Sequence, residues 1–149
     1  MTRMSDTVDD LMPCLLPDGF RAAAVACGIK DDPTTLDLAL FVADGPVVAA
    51  GVFTGNRVCG APVKVSRERV PDSGVRAVVI NSGNANACTG ARGIEDAKSM
   101  TAAVAAEVGC DPESVLVCST GVIGHYLPIE MITAGIPRVV DSLAGSPEA

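Results

Sequence analysis

Thr120 and Gly121 stand side by side where the apolar run Val115-Leu116-Val117-Cys118 ends. A threonine hydroxyl and an adjacent backbone N–H are two neutral hydrogen-bond donors, and a residue without a Cβ lets a reacting carbonyl come close. Acyl transfer needs such a pair to hold the oxyanion of its tetrahedral intermediate. The same residues, followed by Val122, Ile123 and a second glycine at 124, also suit an ordinary hydroxyl-rich turn, and spacing alone favours the turn. A second polar stretch, Asn81-Ser82-Gly83-Asn84-Ala85-Asn86-Ala87-Cys88-Thr89-Gly90, carries three asparagines and no charge. Asparagine tolerates left-handed backbone and offers both donors and acceptors, so this stretch suits either contact with a polar substrate or the fastening of backbone beside a site. It lies between a strand signal and a helix signal, as phosphate-binding loops do. However, Gly83, Gly90 and Gly93 do not make G-x-G-x-x-G, and no lysine stands at P-loop spacing, so no binding residue is assigned there.

Other reactive groups are few. His125 is the only histidine, and its side chain is the only one whose ordinary pKa suits general-base work near neutrality; its place just before Pro128 reads as the half-exposed start of a helix. Cys88 and Cys118 flank the two polar stretches, but a cysteine nucleophile requires a base partner. Six cysteines at 14, 27, 59, 88, 110 and 118 include no C-x-x-C pair, which gives no support for a metal site and favours reduced, mostly buried thiols.

Several elements must position these residues. Val75–Ile80 is a continuous aliphatic run of buried-strand type that delivers Asn81 at its carboxyl end. From Gly93 to Val108, the residues Ile94, Ala97, Met100, Val104, Ala105 and Val108 recur on one helical face, and Gly109 stops the helix. Leu36–Val42 and Val47–Phe53 flank Ala43-Asp44-Gly45-Pro46, which predicts a hairpin. Ala61–Ser66 is read as a further strand, and Arg21–Cys27 as either helix or strand. Pro128 opens a short helix with Ile129, Ile132 and Met131 inward, Pro137 breaks it, and a last helix carries Val139, Val140 and Leu143 to Gly145. Residues 1–15 read as an acidic, frayed lead-in and 16–149 as one domain of mixed α/β or α+β class.

The composition sets outer limits. A chain of 149 residues at 48% hydrophobic content builds a core, and with 3% aromatics that core is aliphatic. A net charge of −7 disfavours nucleic acid as a partner. No apolar run reaches the ~20 residues of a membrane helix, and the amino terminus has no signal-peptide core, so a cytoplasmic protein with no membrane partner is expected.

The NSGNANACTG and STGVIG strings together resemble the ornithine acetyltransferase family of arginine biosynthesis. The likeness extends over Leu16-Pro17-Asp18-Gly19-Phe20, Ala26-Cys27-Gly28-Ile29-Lys30, Gly51-Val52-Phe53-Thr54, Asn56-Arg57, Ala61-Pro62-Val63, Ser66-Arg67 and Ile136, which is most of the chain. The resemblance implies helices packed outside two facing β-sheets, a strand at Arg21–Cys27, and Thr120 and Gly121 as the oxyanion hole. It also implies acetyl transfer from N-acetylornithine to glutamate through an acyl-threonine. No cofactor is implied, although some members accept acetyl-CoA as a co-substrate. The nucleophilic threonine would belong to a downstream β-chain, freed by self-cleavage and associated with this α-chain part in a hetero-oligomer. Thr2, exposed by loss of Met1, is a weaker source of an N-terminal threonine because an acidic tail offers it no preorganised site. A related self-processing aminopeptidase, or a non-catalytic domain that binds the remainder of such an enzyme, are the rival readings.

Overall fold

The computed structural model describes residues 16–145. Its sheet is built outward from the aliphatic run at 75–80, which lies inside β3 (Asp72–Asn84). β2 (Leu38–Ala49) pairs with it antiparallel on one side, and β4 (Val115–Val122) pairs with it parallel on the other. β1 (Phe20–Val25) completes the order β1-β2-β3-β4, antiparallel to β2. Arg21–Cys27 is therefore strand, as the resemblance implies. Parallel neighbours need a crossover, and α2 (Gly90–Val108) supplies it between β3 and β4.

Cross-strand register divides the sheet into two unlike faces. Leu38, Leu40, Val42, Ala77, Val79, Val115 and Val117 share one face and are at most 3% exposed. All three helices cover this face. α1 (Ala61–Arg69) lies over β4, α3 (Ile129–Asp141) over β1 and β2, and α2 between them with Ala97, Met100, Val104 and Ala105 buried. Truncating a large member such as Leu40 to alanine is expected to cost about 2–5 kcal/mol. The opposite face carries Ala22, Ala39, Phe41, Val78, Ile80 and Leu116, and nothing among the described residues lies over it as the helices lie over the first; Phe41 is 41% exposed. The class is thus mixed α+β. Of the two facing sheets that the resemblance implies, the described residues supply one.

Three local readings are corrected. Asp44-Gly45-Pro46 makes no hairpin: β2 runs through it with a register shift between Val42 and Val47, because its partners are β1 and β3 and not its own continuation. Residues 50–53 are outside the sheet, and Val52 is fully exposed. Ala61–Ser66 is helical, with Pro62 in the first turn, where its missing N–H costs nothing, and Ala61, Pro62, Val65 and Ser66 on the buried side. Pro137 does not break its helix. It lies on the exposed side of one continuous α3, while Ile132, Ile136 and Val139 are fully buried and hold the helix down on both sides of it; Met131 points outward at 44% exposed. The helix at 93–108 and its stop are found as read, with Gly109 left-handed at φ 74° and its N–H donating to the Ala105 carbonyl at 2.9 Å. Expectations for residues 1–15 and 146–149 lie outside the described residues.

Candidate active site

The two polar stretches come together as the paired ends of β3 and β4. The register sets Asn81 beside Ser119, Ser82 beside Thr120, Gly83 beside Gly121 and Asn84 beside Val122. Ser119-Thr120-Gly121 is accordingly strand and not turn. Strand alternation places Thr120 on the face opposite the helices, the same face as Ser82, Ile80 and Cys118, and its side chain is exposed.

The ladder also fixes where the backbone donors point. The Ala85 N–H donates to the Val122 carbonyl at 2.9 Å, so Val122 faces β3. Two residues apart on a parallel strand, backbone groups share a direction, and those between point the other way. Val117 confirms the alternation from the outer side: the Ser66 hydroxyl donates to its carbonyl at 2.8 Å and accepts its N–H at 3.0 Å. The N–H groups of Ser119 and Gly121 therefore point to the outer edge of β4. An apolar groove of about 430 Å³, with Phe53, Pro62, Val63 and Cys118 in its walls, flanks that edge at Ser119. Thr120, on the open face, and Gly121, at the edge, thus follow directly on the stretch of β4 that lines this groove.

Gly121 is required for a reason that composition does not reveal. Its φ is 131°, and a Cβ there would drive into the Gly83 carbonyl carbon and lie 2.5 Å from the Asn84 nitrogen. The two glycines let the strands close at this point.

Among the asparagines, the arrangement is one of fastening. Asn81 is fully buried and its Nδ2 donates to the Asn84 carbonyl at 2.8 Å. Asn84 Nδ2 donates to the carbonyls of His125 and Tyr126 at 3.3 and 3.0 Å, and its Oδ1 accepts the Asn86 N–H at 2.9 Å. Asn86 adopts φ 46°; its Nδ2 donates to the Gly93 carbonyl at 2.7 Å and its Oδ1 accepts the Thr89 hydroxyl at 2.7 Å. Asn81 Oδ1 and Ser119 Oγ, neighbours by register, are buried without a hydrogen-bond partner.

The remaining candidates are peripheral. His125 is exposed, and among the described residues its ring makes no hydrogen bond; Cys88 and Cys118 are exposed free thiols with no base beside them in any hydrogen bond. No group of three or more His, Cys, Asp or Glu among the described residues is arranged to hold a metal. Arg92 lies over the Tyr126 ring at 4.2 Å and approaches Asp96 at 3.9 Å. Burial pushes the Asp96 carboxyl up, Arg92 opposes this, and Glu130 adds to it.

Two further residues organise the site from outside the NSGNANACTG and STGVIG strings. Ser66 caps the β4 edge as described. Asp37, 3% exposed, accepts the N–H groups of Cys27, Gly28, Ile29 and Lys30 at 2.7, 3.0, 2.7 and 3.3 Å. Burial alone would raise its carboxyl, but these amides and the Cys27 thiol outweigh burial and hold it below the usual range. The loop it gathers packs onto Gly83, where a Cβ would lie 2.9 Å from Ile29 Cγ2. An acid inside the apolar run 36–42 is the only trace of this in the sequence.

With the geometry established, similarity to known proteins can be stated. A family model described as the ArgJ family matches residues 21–149. A relative from Geobacter sulfurreducens, named arginine biosynthesis bifunctional protein ArgJ, is 52% identical over 128 residues, covering 86% of this chain and 32% of that protein. A relative of the same name from Bifidobacterium longum is 47% identical over 139 residues, covering 93% and 36%. Among solved structures, an ornithine acetyltransferase complexed with ornithine from Mycobacterium tuberculosis superposes with a TM-score of 0.84 at 46% identity, covering 87% of this chain and 70% of that one. The argJ protein of Bacillus halodurans does so at 0.75 and 42%, covering 80% and 62%. The chain spans about a third of the length of these curated relatives.

Proposed function

The chain belongs to the ArgJ family, and from that membership we propose that it is the amino-terminal, α-chain part of a glutamate N-acetyltransferase of arginine biosynthesis, in which Thr120 and Gly121 form the oxyanion hole. The unit is residues 16–149, with 1–15 a lead-in. What supports the reading is the register that sets the exposed Thr120 and its neighbour Gly121 beside Ser82 and Gly83 of the NSGN segment of β3.

In this reading a threonine from a segment outside these residues attacks the acetyl carbonyl of N-acetylornithine. The new C–O bond places negative charge on the carbonyl oxygen, which the Thr120 hydroxyl and Gly121 N–H stabilise. The C–N bond then breaks, ornithine leaves carrying on its amine the proton that the threonine hydroxyl gave up, and the acetyl group remains as a threonine ester. The amine of glutamate attacks that ester through the same oxyanion, and threonine is restored. Acetyl-CoA would enter as an alternative acetyl donor. The open apolar face of the sheet is where the nucleophile-bearing β-chain packs, in a soluble cytoplasmic hetero-oligomer. None of the described helices is long and apolar enough to cross a membrane.

The test is Thr120→Val in enzyme assembled from this chain and the carboxyl-terminal remainder of the Geobacter relative. Loss of one such donor costs about 10²–10³ in rate, roughly 3–4 kcal/mol, and it falls on turnover because the charge exists only in the transition state. Thr120 is exposed, so the melting temperature should stay that of the parent. Unchanged single-turnover acetylation would remove Thr120 from the mechanism.

A further inference from the structure

The segment Gly121–Tyr126 carries the second half of the donor pair, and every residue in it is exposed. It has no buried side chain to anchor it. Its backbone is tied by the Val122 carbonyl accepting from Ala85 and by the Gly124 N–H donating to the Ala87 carbonyl, each at 2.9 Å. Among the described residues, Asn84 is the only one whose side chain hydrogen-bonds to this segment, through Nδ2 to the carbonyls of His125 and Tyr126.

Asn84 also holds the other side of the pivot. Its peptide nitrogen belongs to the backbone against which Gly121 closes, and its own carbonyl is fixed by Asn81 Nδ2. Gly121, at φ 131° and without a side chain, is the point about which the chain would most easily rotate. The ladder and two backbone bonds hold the chain as far as Gly124, and Asn84 holds it at His125 and Tyr126. At 7% exposure, with its Nδ2 donating to the His125 and Tyr126 carbonyls and its Oδ1 accepting the Asn86 N–H, the Asn84 amide is turned to the protein's own backbone.

We infer that Asn84 is the positioning residue for the Thr120–Gly121 donor pair, acting through the chain after Gly121, which its side chain ties to the end of β3, and not by contact with substrate. This rests on the reading of Thr120 and Gly121 as oxyanion donors. Asn84→Asp separates the two ideas, because the carboxylate keeps the acceptor for the Asn86 N–H and has no N–H for the two carbonyls. A displacement of about 1 Å at a reacting centre costs up to ~10² in rate.

In the assembled enzyme, Asn84→Asp should lower kcat by about 10- to 100-fold, with KM for N-acetylornithine within about twofold of the parent. Asn84→Ala, which introduces no charge, should act in the same direction. Thr120→Val added to either variant should cost much less than it costs in the parent, since the hydroxyl and the amide act as a unit. Turnover per folded molecule within about twofold of the parent in both Asn84 variants, with Thr120→Val still slow, would overturn the inference and leave the oxyanion reading standing. Full activity of Thr120→Val would overturn both.

Discussion

Replacing Asp37 by asparagine changes one buried atom and should be felt throughout the 26–30 loop. One carboxylate oxygen accepts the Cys27 N–H and the other accepts those of Gly28, Ile29 and Lys30. An asparagine has one acceptor. Oriented to keep the three-amide side, it turns its NH₂ toward the Cys27 N–H, which leaves a buried donor orphaned at about 1–3 kcal/mol. The other three bonds lose their charge assistance, roughly halving each. A total near 3 kcal/mol follows, a large part of the stability of a domain this size. Urea unfolding at pH 7 measures it. The pH dependence gives a second arm. The carboxyl of Asp37 is held below its unfolded value of about 3.9, so the native state releases its proton more readily. The stabilisation is fully present above that unfolded value and is lost as pH falls through the folded pKa. The gap between parent and Asp37→Asn should therefore be constant near neutrality and close in acid. A loss below about 1 kcal/mol, or a gap that persists at the acid end, would refute the account of this loop.

Thiol reactivity should rank by exposure and pKa: Cys88 is exposed, whereas burial and then the Asp37 carboxylate push the Cys27 thiol up to about 12. At pH 8, iodoacetamide should modify Cys88 early and Cys27 last, and mass spectrometry showing equal rates would contradict the packing around Cys27. Gly93→Ala should break the Asn86–Thr89 contact, because its Cβ would meet Thr89 Oγ1 and Asn86 Oδ1 and come within 2.8 Å of Thr89 Cβ. A loss of about 1–3 kcal/mol is expected, seen as a melting temperature lower by roughly 5 °C. The uncovered sheet face around Phe41 should make the isolated chain self-associate, with Phe41→Lys restoring a monomer; a monomer at all concentrations before substitution would show that this face needs no cover.

Periodicity and local chemistry were enough to mark the β3 and β4 runs, the face of α2 and its stop at Gly109, because aliphatic runs, 3.6-residue spacing and a left-handed glycine are properties of a chain segment by itself. Sequence likeness alone also pointed to Thr120 and Gly121. It did not show that Asp44-Gly45-Pro46 would lie within a continuous β2, since a turn signal says nothing about which strand is available to pair. Nor could it show that Ala61–Arg69 is helical or that Pro137 lies within α3, outcomes set by the burial of Val65, Ile136 and Val139 against the sheet. Above all, the meeting of Gly83 with Gly121 is a matter of register between strands nearly forty residues apart in the chain. The register sets Val79 beside Val117 and Ala77 beside Val115, so that the buried residues of both strands share the face that the helices cover. Only the folded chain turns two polar strings into one site, with Asn84 tying the chain after Gly121 to the end of β3.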